Sequence, residues 1–369
     1  MKFTCEKNTL QDAVSVCLHA VAAKSSIAVL EGILVMAGDD TITLSGYNFK
    51  TGIRKSVPGT VHQCGTVVLN SKVFYDIVRK IPGDVLEVEV DDKMICTIRS
   101  GAAVFHLIAS GAQEFPELPE VNRRRGISLP ANALRSMIDD TVFAVSDNEN
   151  KPIHTGSLFE VGEGTLSVVS VDGYRLAVRR EPILNLSEGG FKFVVPGETL
   201  KELSRILPDS DEAVSIYPER KHALFEFAAT TVTTRLLEGE FLDYRKANPN
   251  DQPIKITVDR MALTHSIELV SLIVSERLKN PVRCLFEGDA VKLSCITALG
   301  KSFDECPISF CQETVEIGFN NKYLLDALRA VREDKCVLEL KSPLAPLLVK
   351  PVEGDKFVYL VLPVRLKQE

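Results

Sequence analysis

A strand-then-helix phrase occurs three times in this chain, and it limits the folds the chain can adopt. Lys2 to Cys5 read as a strand, and Asn8 is placed to cap a helix carrying Leu10, Val14, Cys17, Leu18 and Val21 on one face. Ile127-Ser128-Leu129-Pro130 precedes a helix with Leu134, Met137, Ile138 and Val142, and Ile256-Thr257-Val258 precedes one with Leu263, Ile267, Val270 and Ile273. Leu10, Leu134 and Leu263 recur at intervals of about 125 residues, the size of one small domain. A second phrase keeps the same order. Val67-Val68-Leu69 leads into a helix with Phe74, Ile77 and Ile81, Phe193-Val194-Val195 into one with Leu200, Leu203 and Leu207, and Val315-Glu316-Ile317 into one with Leu324, Ala327 and Val331.

Between these phrases lie short alternating runs such as Thr41 to Leu44, Leu86 to Val90, Leu166 to Ser170, Ala223 to Phe227 and Val291 to Cys295, which read as strands with one wet face. The expected architecture is α+β: three copies of a strand-rich unit with two helices each. Turn residues and charge collect at Glu114-Phe115-Pro116-Glu117-Leu118-Pro119, running into Arg123-Arg124-Arg125-Gly126, and again at Asn248 to Pro253. The expected domains are therefore 1–125, 126–252 and 253–369.

The repeat also places charge. If Phe74, Leu200 and Leu324 are equivalent, Arg79, Arg205 and Arg329 share one position, pointing away from the packed face of each second helix. Lys72 and Lys80, Lys201, and Lys322 with Arg332 accompany them. On one helix this is an ordinary solvated face. On three equivalent helices of a chain with net charge −7 it describes a local basic surface, whereas the net charge argues against a protein that clings to nucleic acid all over.

Near the middle, Leu166 and Val168, then Leu176 and Val178, flank Asp172-Gly173, a dipeptide suited to a hairpin turn with positive φ at both central residues. Tyr174, Arg175 and Leu176 follow it, setting stacking area, a guanidinium fork and an apolar edge side by side. By pattern alone this is most often a plain solvated turn.

No phosphate loop, dinucleotide fingerprint, nucleophile elbow, HExxH or EF-hand loop is written in the chain. Asp147-Asn148-Glu149-Asn150-Lys151 resembles a calcium loop, but Lys151 stands where a ligand oxygen is needed. The six histidines, His154 among them, are scattered singly, and the nine cysteines never form CxxC. Cys306 and Cys311 lie in a run that reads as strand, so buried reduced thiols are expected rather than a metal site. The amino terminus has no signal-peptide pattern and no apolar run is long enough to span a membrane, so the expected location is the cytoplasm.

The whole chain resembles the bacterial DNA polymerase III beta subunit family, the replicative sliding clamps. The matching stretches are Leu69 to Phe74, Glu114-Phe115-Pro116, Ser170 to Ala177, Gly239-Glu240-Phe241 with Asp243-Tyr244-Arg245, and Ile317 to Asn320 with Tyr323 to Asp326. The resemblance implies three clamp domains per chain and a head-to-tail dimeric ring, with antiparallel sheets outside and helices lining a hole for duplex DNA. It implies no cofactor, no metal and no catalysis. Lys24 and Lys151 fall on loops where the family carries DNA-facing residues, and Arg79, Lys201, Arg205 and Arg329 become candidates for the channel wall. The family also has a groove for short linear peptides of polymerase, clamp-loader and repair proteins. Its positions here are Gly173, Tyr174, Arg175, Leu176, Leu242, Asn320, Tyr323, Leu344, Pro346, Leu362, Pro363, Val364 and Arg365, with leucine, proline and valine as walls and Arg175, Arg365 and Asn320 as donors. Phe105 and Leu107, with Leu272 and Ile273, sit where the family closes its ring, although each also suits plain core. The chain departs from the family pattern at Leu242 (usually proline), Val171 (commonly threonine), Leu278 (commonly aromatic), Ala28 (commonly proline) and His154 (usually apolar). An enzyme on a similar scaffold and a monomeric peptide-binding module are the alternatives.

Overall fold

Apolar spacing decides where the helices form. Leu10, Ala13, Val14 and Cys17 are the buried side of α1 (Lys7–Leu18), and Phe74, Ile77 and Val78 that of α2 (Ser71–Lys80). The computed structural model describes all residues except 187–188, 248, 250, 276–279 and 367–369. Leu278 therefore lies outside the described residues. Five further helices follow: α3 (Ala131–Asp139), α4 (Gly197–Ile206), the single turn α5 (Tyr244–Ala247), α6 (Arg260–Val270) and α7 (Asn321–Arg329).

Side chains cap the starts of α2, α6 and α7. Asn70 Oδ1 accepts from Val73 N–H at 3.1 Å, Asp259 Oδ1 from Ala262 N–H at 2.8 Å and Asn320 Oδ1 from Lys322 N–H at 3.0 Å. Each such cap is worth about 1 kcal/mol. The expected cap at Asn8 is not formed. Glu6 is the N-cap residue and Asn8 lies inside α1, because the strand Lys2–Glu6 runs straight into the helix. Val142 and Ile273 fall beyond the α-helices, in 3-10 turns Val142–Ala144 and Ser271–Ile273.

By contacts the chain forms two compact units. The first comprises Met1–Arg135, Leu184–Glu188 and Glu198–Leu236, and contains a five-stranded and a ten-stranded sheet. The second comprises Ser136–Ile183, Gly189–Gly197 and Leu237–Glu369, built on another ten-stranded sheet. The reason for two units rather than one per repeat is hydrogen bonding. Thr230–Arg235, from the middle repeat, ladders antiparallel onto Thr51–Pro58 of the first. Phe357–Val361, from the last repeat, ladders onto Arg175–Pro182 of the middle one. Each ten-stranded sheet thus runs through a repeat boundary.

In the second unit Leu263, Ile267, Leu324 and Leu328 of α6 and α7 pack with Phe286, Phe319, Phe357 and Tyr359 of the sheet in one buried cluster. The single wet face expected for every strand is not general. Thr41–Tyr47 and Thr165–Val171 are buried almost throughout; α1 packs on the first of them and the turn Val142–Ala144 on the second. Of the nine free thiols eight are buried, Cys306 and Cys311 among them; Cys64 is exposed, contrary to the expectation for it.

Candidate functional site

The hairpin closes on the pair Val171–Leu176. Asp172 Oδ1 accepts from the N–H groups of Tyr174 (2.9 Å) and Arg175 (3.1 Å), and the Asp172 N–H donates to Arg175 O at 3.3 Å. Gly173 has φ +94° and Asp172 does not have positive φ, so the expected two-residue turn is replaced by a four-residue turn wound round the Asp172 carboxylate. A side chain at position 173 would be strained by that φ although the space beside it is open.

This turn aims neighbouring side chains in opposite senses. Tyr174 is 60% exposed and stacks on Tyr323, ring centroids 5.9 Å apart. Arg175 is only 8% exposed. Its Nε donates to Asp172 Oδ2 at 2.9 Å and its Nη1 to Asp326 Oδ2 at 2.5 Å, and its guanidinium lies 4.6 Å from the Tyr323 ring centroid and 5.3 Å from that of Phe143. The arginine expected as a ligand donor is thus also a strut that joins the hairpin to α7. Burial, with the Asp172 carboxylate adding to it, raises the Tyr323 phenol above its ordinary pKa.

The end of the chain is tied to the same place. Leu362 N–H donates to Tyr174 O at 2.9 Å and Val364 N–H to Gly318 O at 2.8 Å. A Cβ on Gly318 would stand 2.5 Å from Leu366 Cδ2 and 2.7 Å from Val364 O, so the tail can lie here only against glycine.

Two compartments result. The first is a cavity of about 720 Å³ that brings together Tyr174, Arg175, Asn320 and Tyr323 with Ser146, Asp147, Val274 and Arg329. The second is apolar: Leu176, buried, packs with Val171, Leu360 and Tyr244, and with half-buried Ile153, Leu237 and Phe241. Leu242, Leu362 and Val364 are exposed near or beyond it in sequence, Gly173 and Arg365 are exposed, and Pro363 is half-buried. Leu344 and Pro346 do not line the cavity. They sit on the loop before Leu347–Lys350, where Gln252 Nε2 donates to Pro346 O at 2.8 Å. Sequence reasoning did not select Phe143, Asp326 or Ile153 as site residues; Asp326 is 151 positions from the arginine it holds, and nothing local marks it. Leu360 had a local signal, since it alternates with Leu362.

Two further contacts fix the apolar compartment. Tyr244 Oη donates to Glu160 Oε2 at 2.8 Å, and Arg245 grips both oxygens of the same carboxylate. Burial works against the Glu160 charge, but the hydrogen bonds from Arg245 and Tyr244 prevail and hold its pKa below the ordinary value. Burial, then the Glu160 hydrogen bond, pushes the Tyr244 phenol up to about 12. His154 meets Phe241 edge to face at 5.3 Å.

Burial first and Lys151 second lower the His154 pKa, which gives a pH expectation. The folded value lies below the unfolded value of about 6.5, so the unfolded chain binds this proton more readily and stability falls as pH drops below that value. NMR titration of the His154 ring should show a midpoint below the free value, and His154→Leu should abolish this part of the acid sensitivity; an ordinary midpoint refutes it.

The candidate DNA-facing residues are all exposed: Lys24, Arg79, Lys201 and Arg205 in the first unit, Lys151 and Arg329 in the second. Arg79 pairs with Asp76 (3.2 Å), Arg205 with Glu202 (2.7 Å) and Arg329 with Glu268 (2.6 Å). Arg332 is exposed with them; it lies beyond the end of α7 and donates from its Nε to buried Asp140 at 3.1 and 3.2 Å, where Arg179 Nε also donates at 3.2 Å. Phe105 and Leu272 are exposed, Leu107 and Ile273 half-buried.

Models of the three domains of the DNA polymerase III beta subunit match the chain in order: the N-terminal domain over residues 1–119, the central domain over 128–243 and the C-terminal domain over 245–365. The beta sliding clamp of Bacillus subtilis is 31% identical, over 99% of this chain and all of its own length. The chain belongs to the DNA polymerase III beta subunit family. Beta sliding clamps of Staphylococcus aureus are 29% identical over 99% of both chains. Among solved structures, a putative beta subunit from Eubacterium rectale superposes with TM-score 0.93 at 35% identity, covering 99% of each chain, and the Bacillus subtilis sliding clamp with TM-score 0.95 at 31% identity, covering each completely.

Membership fixes the fold class as three clamp domains and the function as that of a processivity subunit without catalysis. Three of the five family departures fall at the apolar compartment: Val171 is in its buried cluster, His154 touches Phe241, and Leu242 is exposed and follows Phe241 in sequence. Ala28 belongs to the first unit, in the turn Ala28–Glu31. Among the described residues no helix is long and apolar enough to cross a membrane.

Proposed function

We propose that two copies of this chain close head to tail into a ring around duplex DNA in the bacterial cytoplasm and tether polymerase III, clamp-loader and repair proteins by short peptides. The repeat units serve as domains over 1–125, 126–252 and 253–369. The observation that carries the reading is the recurrence of one exposed arginine, at 79, 205 and 329, on the second helix of each repeat in a chain of net charge −7. Arg79, Arg205, Arg329, Lys201, Lys24 and Lys151 face the DNA. A loose cationic lining that is blind to sequence centres a duplex, whereas many tight phosphate contacts would brake sliding. The first three already share their charge with carboxylates, which keeps the lining weak.

The peptide groove is formed by the two compartments. Leu176, Leu242, Leu362 and Pro363 receive apolar anchors, Tyr174, Tyr323, Leu344, Pro346 and Val364 border them, and Gly173, Arg175, Asn320 and Arg365 meet the peptide backbone or polar side chains. Phe105 and Leu107 of one copy meet Leu272 and Ile273 of the other, since head-to-tail closure needs two different patches on each chain.

Loading onto circular DNA by a clamp loader, followed by linearisation, tests the ring. Retention on circles and loss from free ends is expected. Equal retention on both, or a particle that keeps the single-chain mass at micromolar concentration, overturns it.

A further inference from the structure

The loop that carries Leu344 and Pro346 is held from outside the two strands it joins, and one of its holders is a buried glutamine. Residues 341–346 connect Lys335–Leu340 to Leu347–Lys350 within the second unit. The neighbouring ladder stops just short of them. Ile254 pairs with Leu340, and the residue before Ile254 is Pro253, which has no N–H with which to continue. Pro343 and Pro346 lack that donor as well. Inside the loop Ala345 N–H donates to Ser342 O at 3.1 Å, closing a turn with exposed Leu344 at its centre.

Side chains take over where the backbone stops. Two consecutive residues of the segment between the second and third repeats grip the two ends of the loop: Asp251 Oδ2 accepts from Lys341 Nζ at its start, and Gln252 Nε2 donates to Pro346 O at 2.8 Å at its end. The two grips differ in kind. Asp251 and Lys341 are both exposed, and an ion pair in that setting holds little and weakens with salt. Gln252 is 5% exposed, and the oxygen it holds is the one hydrogen-bonding group of a proline backbone. A carbonyl oxygen can only accept, so the amide nitrogen of Gln252 must face it. Its Oε1 then points elsewhere, and among the described residues no group donates to it. An apolar side chain would fill the same space without a buried oxygen left unserved. Stability alone gives no reason for an amide at 252, whereas the position of Pro346 does.

That position is at the open end of the apolar compartment. Leu176 pairs with Leu360 and Leu360 with Leu348, and all three belong to its buried cluster. Two residues further along the last two strands, on the same face, come exposed Leu362 and half-buried Pro346. Leu362 is fixed there by its N–H to Tyr174 O at 2.9 Å, and Pro346 by Gln252. Resting on the peptide-groove reading above, we propose that Gln252 is a positioning residue for peptide binding. Through Pro346 O it holds the Leu344–Pro346 loop in line with Leu362, so that the loop continues the apolar wall on which a peptide side chain docks. Gln252 itself does not touch the peptide.

Binding of a fluorescein-labelled polymerase tail peptide to the full chain, with urea unfolding of the same variants, tests this role. Gln252→Met keeps the length and bulk but loses the donor. It should weaken binding about fivefold, the worth of one neutral hydrogen bond, while its urea midpoint stays at or above that of the parent. Gln252→Glu sets an oxygen against the Pro346 carbonyl and should weaken binding at least about tenfold. Leu344→Ala should weaken the parent but cost the Gln252→Met chain less than about a further twofold, because both changes remove the same wall, whereas Arg365→Ala and Gln252→Met should multiply. A Gln252→Met chain that binds as the parent does, that loses affinity only in step with stability, or whose loss multiplies with that of Leu344→Ala overturns the positioning role and leaves the groove in place. A parent chain that does not bind the peptide, or whose binding is untouched by both Leu344→Ala and Arg365→Ala, overturns the groove reading and the role of Gln252 with it.

Discussion

Arg175→Ala should destabilise the chain by about 3–5 kcal/mol, the range for breaking a buried ion pair from one side, and reduce binding of a polymerase tail peptide by more than about tenfold. The stability loss comes from what is left behind. Without the guanidinium, Asp172 and Asp326 keep their partly buried carboxylates with no cation between them. The ring stack of Tyr174 on Tyr323 also loses the plane packed behind it. Arg175→Lys should recover part of the stability but little of the binding, because one ammonium cannot reach two carboxylates with a flat fork and lie on two rings. Combining Arg175→Met with Asp172→Asn and Asp326→Asn separates the effects. Removing the stranded charges should return most of the stability, measured by urea unfolding, while peptide affinity stays low. An Arg175→Ala chain with parental stability would show that the pair contributes nothing, and one with parental affinity would show that the groove lies elsewhere.

The behaviour of Arg175 also shows where sequence stops being informative. The threefold phrase located six helices because amphipathic spacing is a local property: Phe74, Leu200 and Leu324 are buried where the period places them. The outward arginines followed from the same geometry. Arg332 is exposed as well, but it lies beyond α7 and its guanidinium is anchored by Asp140, 192 residues away, which no local pattern marks. The groove residues that the resemblance supplied fall mostly on the hairpin, α7 and the chain's end, which hydrogen bonds join through Tyr174 O and Gly318 O. Their roles were less legible. Whether an arginine points into a groove or lies beneath it depends on Phe143 and Tyr323, and no local pattern reports those contacts. The two-unit division was equally hidden, since strand pairing across repeats leaves no mark on the turn residues from which boundaries are read.

Replacing Arg79, Arg205 and Arg329 together with alanine should weaken DNA binding without disturbing the dimer. If each arginine accounts for one phosphate contact, the slope of log affinity against log salt for a short duplex should fall by about 2.7, from three contacts at about 0.9 each. The change is largest at low salt and sequence-independent, since the contacts reach phosphate rather than bases. The dimer mass should be unaltered, and each substitution should change stability by no more than about 1 kcal/mol, because Arg79–Asp76, Arg205–Glu202 and Arg329–Glu268 are exposed pairs. Their freed carboxylates add to the loss of binding by repelling the backbone, so Asp76→Asn, Glu202→Gln and Glu268→Gln in the parent chain should act oppositely and slow sliding on loaded circles. A triple alanine chain that keeps the parental salt slope would remove these arginines from the channel wall.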